Sequence, residues 1–404
     1  MNIGIYHEVI YTTPNNSASS ILGTSPEEID TPKQGSDRVL LTSIIILMVF
    51  GVLAVYSSIA YFAESNNTTA WNLVLGHMTK LGIAFIVMLI ASKFDYHKLM
   101  RLSRAGVILS WIFLVIVLLY GNETFGARRS ISIGGFSFQP SSFASIALLV
   151  HVAVLLTEKQ DYIKDFKRSF LPILVWIFTT CALIGVEDFS TAGILMVLCI
   201  VLMFVGRISV LQLGTLVMLG VLGGSILIAR SPERQSRLKH YINQVVEIQS
   251  DHFMRNGGYQ AQQAQIAIAK GGIIGVGIGK STQRDFLPAP YNDFIFAIIA
   301  EEYGLVGSMF LIFIFTLILF RGIAIIGKRS KDTFGALLAV ACTLVVVLYG
   351  YVNAGVASGL LPVTGLPMPF VSYGGTSMLF SGLMMGILLN ISKFNKNKKK
   401  PFYA

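Results

Sequence analysis

The stretch Asp293-Phe-Ile-Phe-Ala-Ile-Ile-Ala-Glu-Glu-Tyr-Gly304 places a carboxylate directly before an apolar run that continues to Phe320. A membrane-spanning helix needs about 20 mostly apolar residues, and this run supplies them. An ionisable side chain at the mouth of such a span is costly to keep and often functional. We therefore interpret 293–320 as a membrane span and Asp293 as a candidate functional residue.

The composition of the whole chain supports a membrane protein. Of 404 residues, 54% are hydrophobic and 13% are charged, whereas soluble domains carry roughly 25% charged residues. The sequence predicts an all-α, polytopic protein with about ten transmembrane helices and one large extracytoplasmic loop at about 230–292. The ten predicted spans are 39–61, 73–92, 105–120, 138–156, 170–186, 190–206, 209–229, 293–320, 334–357 and 374–392.

The distribution of Lys and Arg predicts the orientation. Most of the 31 basic residues lie in the N-terminal segment, in alternate loops and in the C-terminal segment, and such an excess marks cytoplasmic segments. Residues 1–38 form a polar tail without the apolar core of a cleavable signal. We expect a membrane domain at 39–392, a basic tail at 393–404, both termini in the cytoplasm and Asp293 facing outward.

The remaining composition excludes other classes. The three cysteines lie in apolar spans without metal-ligand or CxxC spacing, so neither a disulfide framework nor a zinc site is indicated. The net charge of +10 comes mostly from the predicted inner loops, so it does not indicate nucleic-acid binding.

Basic residues on the predicted outer side need a separate explanation, because orientation disfavours them there. The loop 230–285 carries more basic than acidic residues, and Arg128 and Arg129 precede another span. Together they suit an anionic ligand such as a diphosphate. The alternative for the two arginines is snorkelling to the membrane interface.

A glycine-rich segment, Gly271-Gly-Ile-Ile-Gly-Val-Gly-Ile-Gly-Lys-Ser281, lies in the same loop. It fails the phosphate-loop pattern because Ile274 occupies the required glycine position. It favours a tight backbone path with positive φ and close approach, or else a flexible loop. The preceding residues 259–270 have helical periodicity and predict a short helix, either on the membrane surface or packed with solvated glutamines.

Several motifs resemble one family, the SEDS proteins, which are the FtsW and RodA family of bacterial cell-wall polymerases. The resemblance covers about residues 40–392. It is carried by the run from Asp293 to Gly304 and by Gly126-Ala-Arg-Arg-Ser-Ile, Phe136-Ser-Phe-Gln-Pro-Ser141, Asp188-Phe-Ser-Thr-Ala192, Lys270-Gly-Gly, Gln283-Arg-Asp-Phe-Leu-Pro288 and Leu361-Pro-Val-Thr-Gly-Leu-Pro-Met-Pro-Phe-Val-Ser-Tyr-Gly-Gly-Thr-Ser377.

The resemblance implies a peptidoglycan glycosyltransferase that polymerises lipid II, the undecaprenyl-diphosphate-linked disaccharide pentapeptide. Asp293 matches the family's essential aspartate, and it can act as a base, as a ligand of a divalent cation such as Mg or Mn, or as both. The candidates for contact with the diphosphate or sugars are Arg128, Arg129, Gln139, Lys270, Gln283, Arg284, Ser372 and Tyr373.

Other carboxylates and the proline-rich segment have two interpretations each. Asp188 either caps a helix through Thr191 or approaches substrate, and Glu301 and Glu302 are either buried structural groups or part of the cavity. The prolines of 361–377 interrupt the entry to the last span, as a binding site or as a structural kink. The family's Glu and His before the essential aspartate are replaced by Ala289 and Tyr291, so a mechanism that needs a second carboxylate there is doubtful.

Three hypotheses about function stay open. The chain is a polymerase, a lipid II flippase, or a scaffold for a transpeptidase. The N-terminal extension and Gln283-Arg-Asp-Phe-Leu-Pro288 resemble the division branch, FtsW, more than the elongation branch, RodA. Family membership implies a class B penicillin-binding transpeptidase and divisome proteins as partners, at the division septum.

Overall fold

The structure is a computed structural model. It describes residues 36–65, 70–124, 127–133, 136–246, 259–287, 290–330 and 332–396. Most of the two predicted tails, 1–38 and 393–404, lies outside these ranges. Pro288 and Ala289, which stands where the family has a glutamate, also lie outside them. The boundaries proposed for the tails stay predictions.

Within the described ranges the chain forms twelve α-helices, which confirms the predicted class. They are α1 (Arg38–Ser65), α2 (Ala70–Ala91), α3 (Lys98–Tyr120), α4 (Pro140–Glu158), α5 (Leu171–Glu187), α6 (Phe189–Val205), α7 (Val210–Ala229), α8 (Pro232–Val246), α9 (Tyr259–Gly271), α10 (Ile295–Phe320), α11 (Thr333–Ala357) and α12 (Thr376–Lys396).

Each of the ten predicted spans corresponds to one of these helices. Eight helical segments in the described ranges are long and apolar enough to cross a membrane, and α6 is a shorter apolar helix. α12 falls outside that set, and it carries polar residues such as Asn390 along its length. The most buried spans are α4 and α11, whereas α7 is mostly exposed. The protein core therefore lies around α4 and α11, with α7 at the periphery.

The α5–α6 hairpin shows how two spans follow each other with one residue between them. The carboxylate of Asp188 accepts hydrogen bonds from the backbone N–H of Thr191 at 3.2 Å and from its hydroxyl at 2.8 Å. This is an N-cap, which satisfies otherwise free donors at the start of α6. The interpretation of Asp188 as a helix-starting residue is confirmed.

The ends of the first and last helices meet. The backbone N–H of Asp37 donates to the hydroxyl of Ser392 at 3.1 Å, and the Asp37 carboxylate pairs with Arg321 at 3.3 Å. Because the bond to Ser392 joins the start of α1 to the end of α12, both lie on the same side of the helix bundle, as the predicted ten crossings would require.

A small antiparallel sheet between α3 and α4 was not predicted. It consists of β1 (Asn122–Thr124), β2 (Ala127–Ile133) and β3 (Phe136–Phe138), in the order β1-β2-β3. The register pairs Glu123 with Arg128. β1 and β3 have only three residues each, so neither is long enough to show an alternation of polar and apolar residues. β2 alternates over Ser130-Ile-Ser-Ile133, and this signal was overlooked.

The predicted helix at 259–270 is present as α9. Ala261, Ala264 and Ala267 are buried, and the helix packs against α10 and α11. These contacts support the second of the two alternatives, a packing helix. α9 is a packing helix, and its small residues allow a close approach to α10.

The central feature of the fold is a break in α10. Gly304 has φ 66° and ψ −160°, which interrupts the helix, and the glycine-rich loop pairs with the interruption. The backbone N–H of Val276 donates to Glu301 O at 2.9 Å, and that of Leu305 donates to Gly272 O at 2.9 Å. The loop thus satisfies backbone groups that the break leaves without helical partners.

The glycines of this loop have the conformations that the sequence predicted. Gly272, Gly275, Gly277 and Gly279 all have positive φ. A Cβ on Gly275 would lie 2.1 Å from the carbonyl oxygen of Glu302, whereas a Cβ on Gly272 would meet nothing within 4 Å. Only some of the glycines are therefore required for close contact.

We expect Gly275→Ala to lower the thermal unfolding midpoint of the detergent-purified protein much more than Gly272→Ala. Both substitutions place alanine at positive φ, which costs about 1 kcal/mol. Only Gly275→Ala also pushes the loop away from α10. Equal midpoints for the two variants would contradict the close packing described here.

Candidate functional site

Asp293 lies directly before the start of α10 and is half-buried. Its backbone carbonyl accepts a hydrogen bond at 3.0 Å from the side-chain amide of Asn353 on α11, which also donates to Leu366 O at 2.9 Å. A Cβ on Gly365 would lie 3.6 Å from Asp293 Oδ2. Asn353 thus ties Asp293 to the proline-rich segment, and the carboxylate lies beside Gly365.

A second set of bonds holds the same two segments together. The hydroxyl of Ser372 donates to Asn292 O at 2.7 Å and accepts from the backbone N–H of Met368 at 2.8 Å. The backbone N–H of Tyr373 donates to Tyr291 O at 2.8 Å. Ser372 is buried and uses its hydroxyl inside the protein, so its role in substrate contact stays a prediction.

The phenol of Tyr291 stands where the family pattern has a histidine. Its ring makes an edge contact with Tyr373, with 5.6 Å between centroids. Burial, the neighbouring Tyr373 and the negative charge of Asp293 raise the pKa of Tyr291. Tyr291 therefore remains a neutral phenol at physiological pH, unlike a histidine, which titrates there.

Sequence reasoning missed a cation beside this cluster. Lys80 on α2 places its ammonium group 4.1 Å from the ring centroid of Tyr373, a cation–π contact. His77, one turn earlier on α2, is fully buried and stacks on the same ring at 5.7 Å. Lys80 is the only Lys or Arg inside the ten predicted spans, and an ionisable residue at that depth was a signal for function.

The carboxylate of Glu301 on α10 is surrounded by hydrogen-bond donors at the end of the glycine-rich loop. Its carboxylate accepts from the hydroxyl of Ser281 at 2.5 Å and from the backbone N–H groups of Thr282 at 3.1 Å and Gln283 at 3.2 Å. Lys270 lies 3.6 Å away, and Glu301 is fully buried. This geometry supports a structural role, because buried charges persist where they are paired and hydrogen-bonded.

Glu302 and Arg284 connect the loop to α1. The Glu302 carboxylate accepts a hydrogen bond from the hydroxyl of Ser57, and Arg284 donates to the carbonyl oxygen of Ser57 at 2.9 Å. Arg284 also pairs with Asp285 at 3.4 Å. Lys270 and Arg284 are therefore engaged near residues 301–302, which follow Asp293 by about two helical turns. Their predicted contacts with a diphosphate stay predictions.

The other predicted site residues lie elsewhere. Gln139, the N-cap residue of α4, donates from its side chain to Asp188 Oδ2 at 3.2 Å and so links α4 to α6. Arg128 and Arg129 lie on β2, and their side chains are not among those described. The structure therefore brings Tyr373 to the Asp293 region and places Gln139 with Asp188.

Asp293 can hold a divalent cation only together with other ligands. In the part of the chain that the structure describes, no three His, Cys, Asp or Glu residues come together in a metal-binding group. Mg²⁺ is commonly held by one or two carboxylates together with water and substrate phosphates. Asp293 can supply one carboxylate to such an ion, with a bound diphosphate supplying further oxygens.

The fold and site define a polytopic membrane protein with a carboxylate placed at the head of a broken span. The model of the FtsW/RodA/SpoVE family of cell cycle proteins matches residues 37–397. The chain therefore belongs to that family.

Relatives and solved structures agree. The chain is 33% identical to the probable peptidoglycan glycosyltransferase FtsW of Bacillus subtilis, over 90% of this chain and 94% of that protein. It is 32% identical to stage V sporulation protein E of the same species, over 91% and 99%. In fold it is similar to a chain of a peptidoglycan synthase complex (TM-score 0.71, 21% identity, 90% and 99% coverage). It is also similar to Thermus thermophilus RodA (TM-score 0.65, 20% identity, 90% and 98% coverage).

Proposed function

We propose that this chain polymerises lipid II into glycan strands on the outer face of the cytoplasmic membrane. In enzyme terms it is a peptidoglycan glycosyltransferase. The observation that carries the proposal is Asp293, which Asn353 ties to the proline-rich segment. Relatives that bear the name of this activity match about nine-tenths of the chain, which supports the assignment.

The reaction needs a base and a stabilised leaving group. The acceptor's sugar hydroxyl loses its proton to the Asp293 carboxylate as its oxygen forms a bond to the donor's anomeric carbon. The bond from that carbon to the diphosphate breaks, and the polyprenyl diphosphate leaves with the electron pair. A divalent cation at Asp293 would help to neutralise the negative charge on the diphosphate.

The site contributes to this reaction in two ways, by fixing the backbone position of Asp293 and by holding a positive charge, Lys80, near it. Asp293 is anchored through its main chain, so the backbone that carries the carboxylate is already in position when substrate arrives. Lys80, held on the ring of Tyr373, adds a positive charge next to the segment that carries Asp293. A cation that is held in place before the reaction can stabilise negative charge that develops on the diphosphate.

We also propose a septal role, with both termini in the cytoplasm and a class B penicillin-binding transpeptidase and divisome proteins as partners. Several relatives are named FtsW, which favours division. The structural neighbour whose complex coordinates polymerization and crosslinking supports a crosslinking partner. The distribution of Lys and Arg supports the orientation.

We expect Asp293→Asn to abolish glycan formation, with a loss of about 10²-fold or more, because asparagine cannot accept the proton. Purified protein, with and without a cognate transpeptidase, is incubated with labelled lipid II and Mg²⁺ or Mn²⁺, and glycan length is read on a gel. The matched control is Asp161→Asn, which changes an exposed acid after α4 and leaves activity intact.

Two results would overturn the proposal. One is glycan from the Asp293→Asn protein at the wild-type rate. The other is no glycan from wild type with lipid II bound and the transpeptidase present. Movement of lipid II between leaflets that does not depend on Asp293 would then identify a flippase. Healthy cells carrying Asp293→Asn would identify a scaffold.

We expect Lys80→Met to lower the polymerisation rate while leaving the thermal midpoint unchanged or higher. Methionine fills the same space and packs well on aromatic rings, and it removes a charge that is costly inside the membrane. Lys80→Arg should retain much of the rate. The control is Lys93→Met, an exposed lysine just beyond the C-terminal end of α2. A lower midpoint with an unchanged rate would show that Lys80 is structural.

The septal role predicts that depletion of the protein produces filamentous cells and that a fluorescent fusion gathers at the division site. Depleted cells that lose their rod shape, with the fusion spread along the side wall, would assign the chain to elongation instead. Normal growth with a block only in sporulation would also contradict the septal role.

A further inference from the structure

The turn 291–293, directly before α10, is bonded to other segments at each of its residues. Its three backbone carbonyls accept hydrogen bonds, in chain order, from the backbone N–H of Tyr373 at 2.8 Å, the hydroxyl of Ser372 at 2.7 Å and the side-chain amide of Asn353 at 3.0 Å. A shift of the turn would break these bonds. The backbone positions of its first and last residues are therefore set relative to each other before substrate binds.

The ring of Tyr291, the first residue of the turn, is also held in place. The side chain is half-buried, and its ring meets the ring of Tyr373 edge-on, with 5.6 Å between centroids and 84° between planes. The ring of Tyr373 is itself held by Lys80 at 4.1 Å and by His77 at 5.7 Å. Packing thus confines the phenol of Tyr291 on the side that faces Tyr373.

Tyr291 and Asp293, the two ends of the turn, interact electrostatically. Burial raises the pKa of Tyr291, and the nearby Tyr373 and the negative charge of Asp293 raise it further. A carboxylate acts on a titratable neighbour in this way at close range. The phenol of Tyr291 therefore lies near the proposed base, and it keeps its proton at physiological pH.

The groups around the Tyr373 ring suit an oxygen that gains negative charge. The ammonium group of Lys80 contacts the face of this ring, and Tyr291 makes the edge contact with it. Both groups can donate hydrogen bonds, and neither is a base at neutral pH. The proton acceptor is Asp293, so the donors are left for the other reacting group, which in the proposed reaction is the leaving diphosphate.

We propose that Tyr291 is a second catalytic residue, whose phenol donates a hydrogen bond to the leaving diphosphate together with Lys80. The inference rests on the proposed function. As the bond from the anomeric carbon to the diphosphate breaks, its electron pair moves to a diphosphate oxygen, and the hydrogen bond strengthens with the charge on that oxygen. The phenol keeps its proton, because the proton of the acceptor hydroxyl goes to Asp293 and the reaction needs no second transfer.

We expect Tyr291→Phe to lower kcat for glycan formation by about 10-fold or more, with little change in KM for lipid II, because the hydrogen bond strengthens only as charge develops. The variant keeps the ring contact with Tyr373, so its thermal midpoint should match that of wild type. Tyr291→His keeps a ring and an N–H donor and should retain more of the rate. The matched control is Tyr162→Phe, an exposed tyrosine after α4, which should leave kcat unchanged.

A double-mutant cycle tests whether Tyr291 and Lys80 act on the same charge. The rates of the purified full-length proteins are measured with labelled lipid II and the cognate transpeptidase. Two groups that stabilise one diphosphate are not independent, so the loss in the protein with both Tyr291→Phe and Lys80→Met should differ by about twofold or more from the product of the two single losses. Losses that multiply would overturn the shared role.

The inference can fail while the proposed function stands. A Tyr291→Phe protein that makes glycan at the wild-type kcat would overturn it. A lower thermal midpoint in Tyr291→Phe, with no recovery of rate in Tyr291→His, would also overturn it, because the hydroxyl would then be structural. If wild type makes no glycan although lipid II is bound and the transpeptidase is present, the proposed function fails and the inference fails with it.

Discussion

The structure depends on one pairing of backbone groups, between the break in α10 and the glycine-rich loop. Inside a membrane a span cannot leave its backbone N–H and C=O groups without partners. Gly304 interrupts α10, so carbonyl and amide groups next to the break have no helical partners. Gly272, Val276 and Gly277 of the loop supply the missing partners. The same loop surrounds the carboxylate of Glu301 with donors. The loop thus supplies hydrogen-bond partners both to the broken backbone of α10 and to the carboxylate of Glu301, so the two features are tolerated together.

This arrangement separates the acidic residues of α10 into two roles. Glu301 and Glu302 are engaged with the loop and with α1, so they stabilise the upper part of the span. Asp293 lies at its head, where Asn353 and Ser372 fix the neighbouring backbone. The lysine and arginine side chains near α10 also fall into two groups. Lys270 and Arg284 are used near residues 301–302, whereas Lys80 approaches the Asp293 region from α2.

The sequence predicted much of this and missed the parts that depend on distant contacts. Helical periodicity and hydropathy identified ten apolar helices and α9. The cap at Asp188 was one of two alternatives that the sequence offered, and it could be proposed because Thr191 is only three positions away. The predicted positive φ of the loop glycines was confirmed. The β-sheet was missed because two of its three strands have only three residues. Lys80 was missed as a site residue because its partner, Tyr373, is almost three hundred residues away in the chain.

The amino-acid sequence by itself determined the class of protein and the positions of the long apolar helices, and it singled out Asp293 as the candidate for chemistry. These follow from local properties, namely the length of apolar runs, the spacing of glycines and the position of one carboxylate before a span. Only the tertiary structure decided which charged side chains are engaged within the protein and which remain for a ligand. That division depends on distances between residues far apart in the chain, and a membrane protein fixes those distances through the packing of whole helices.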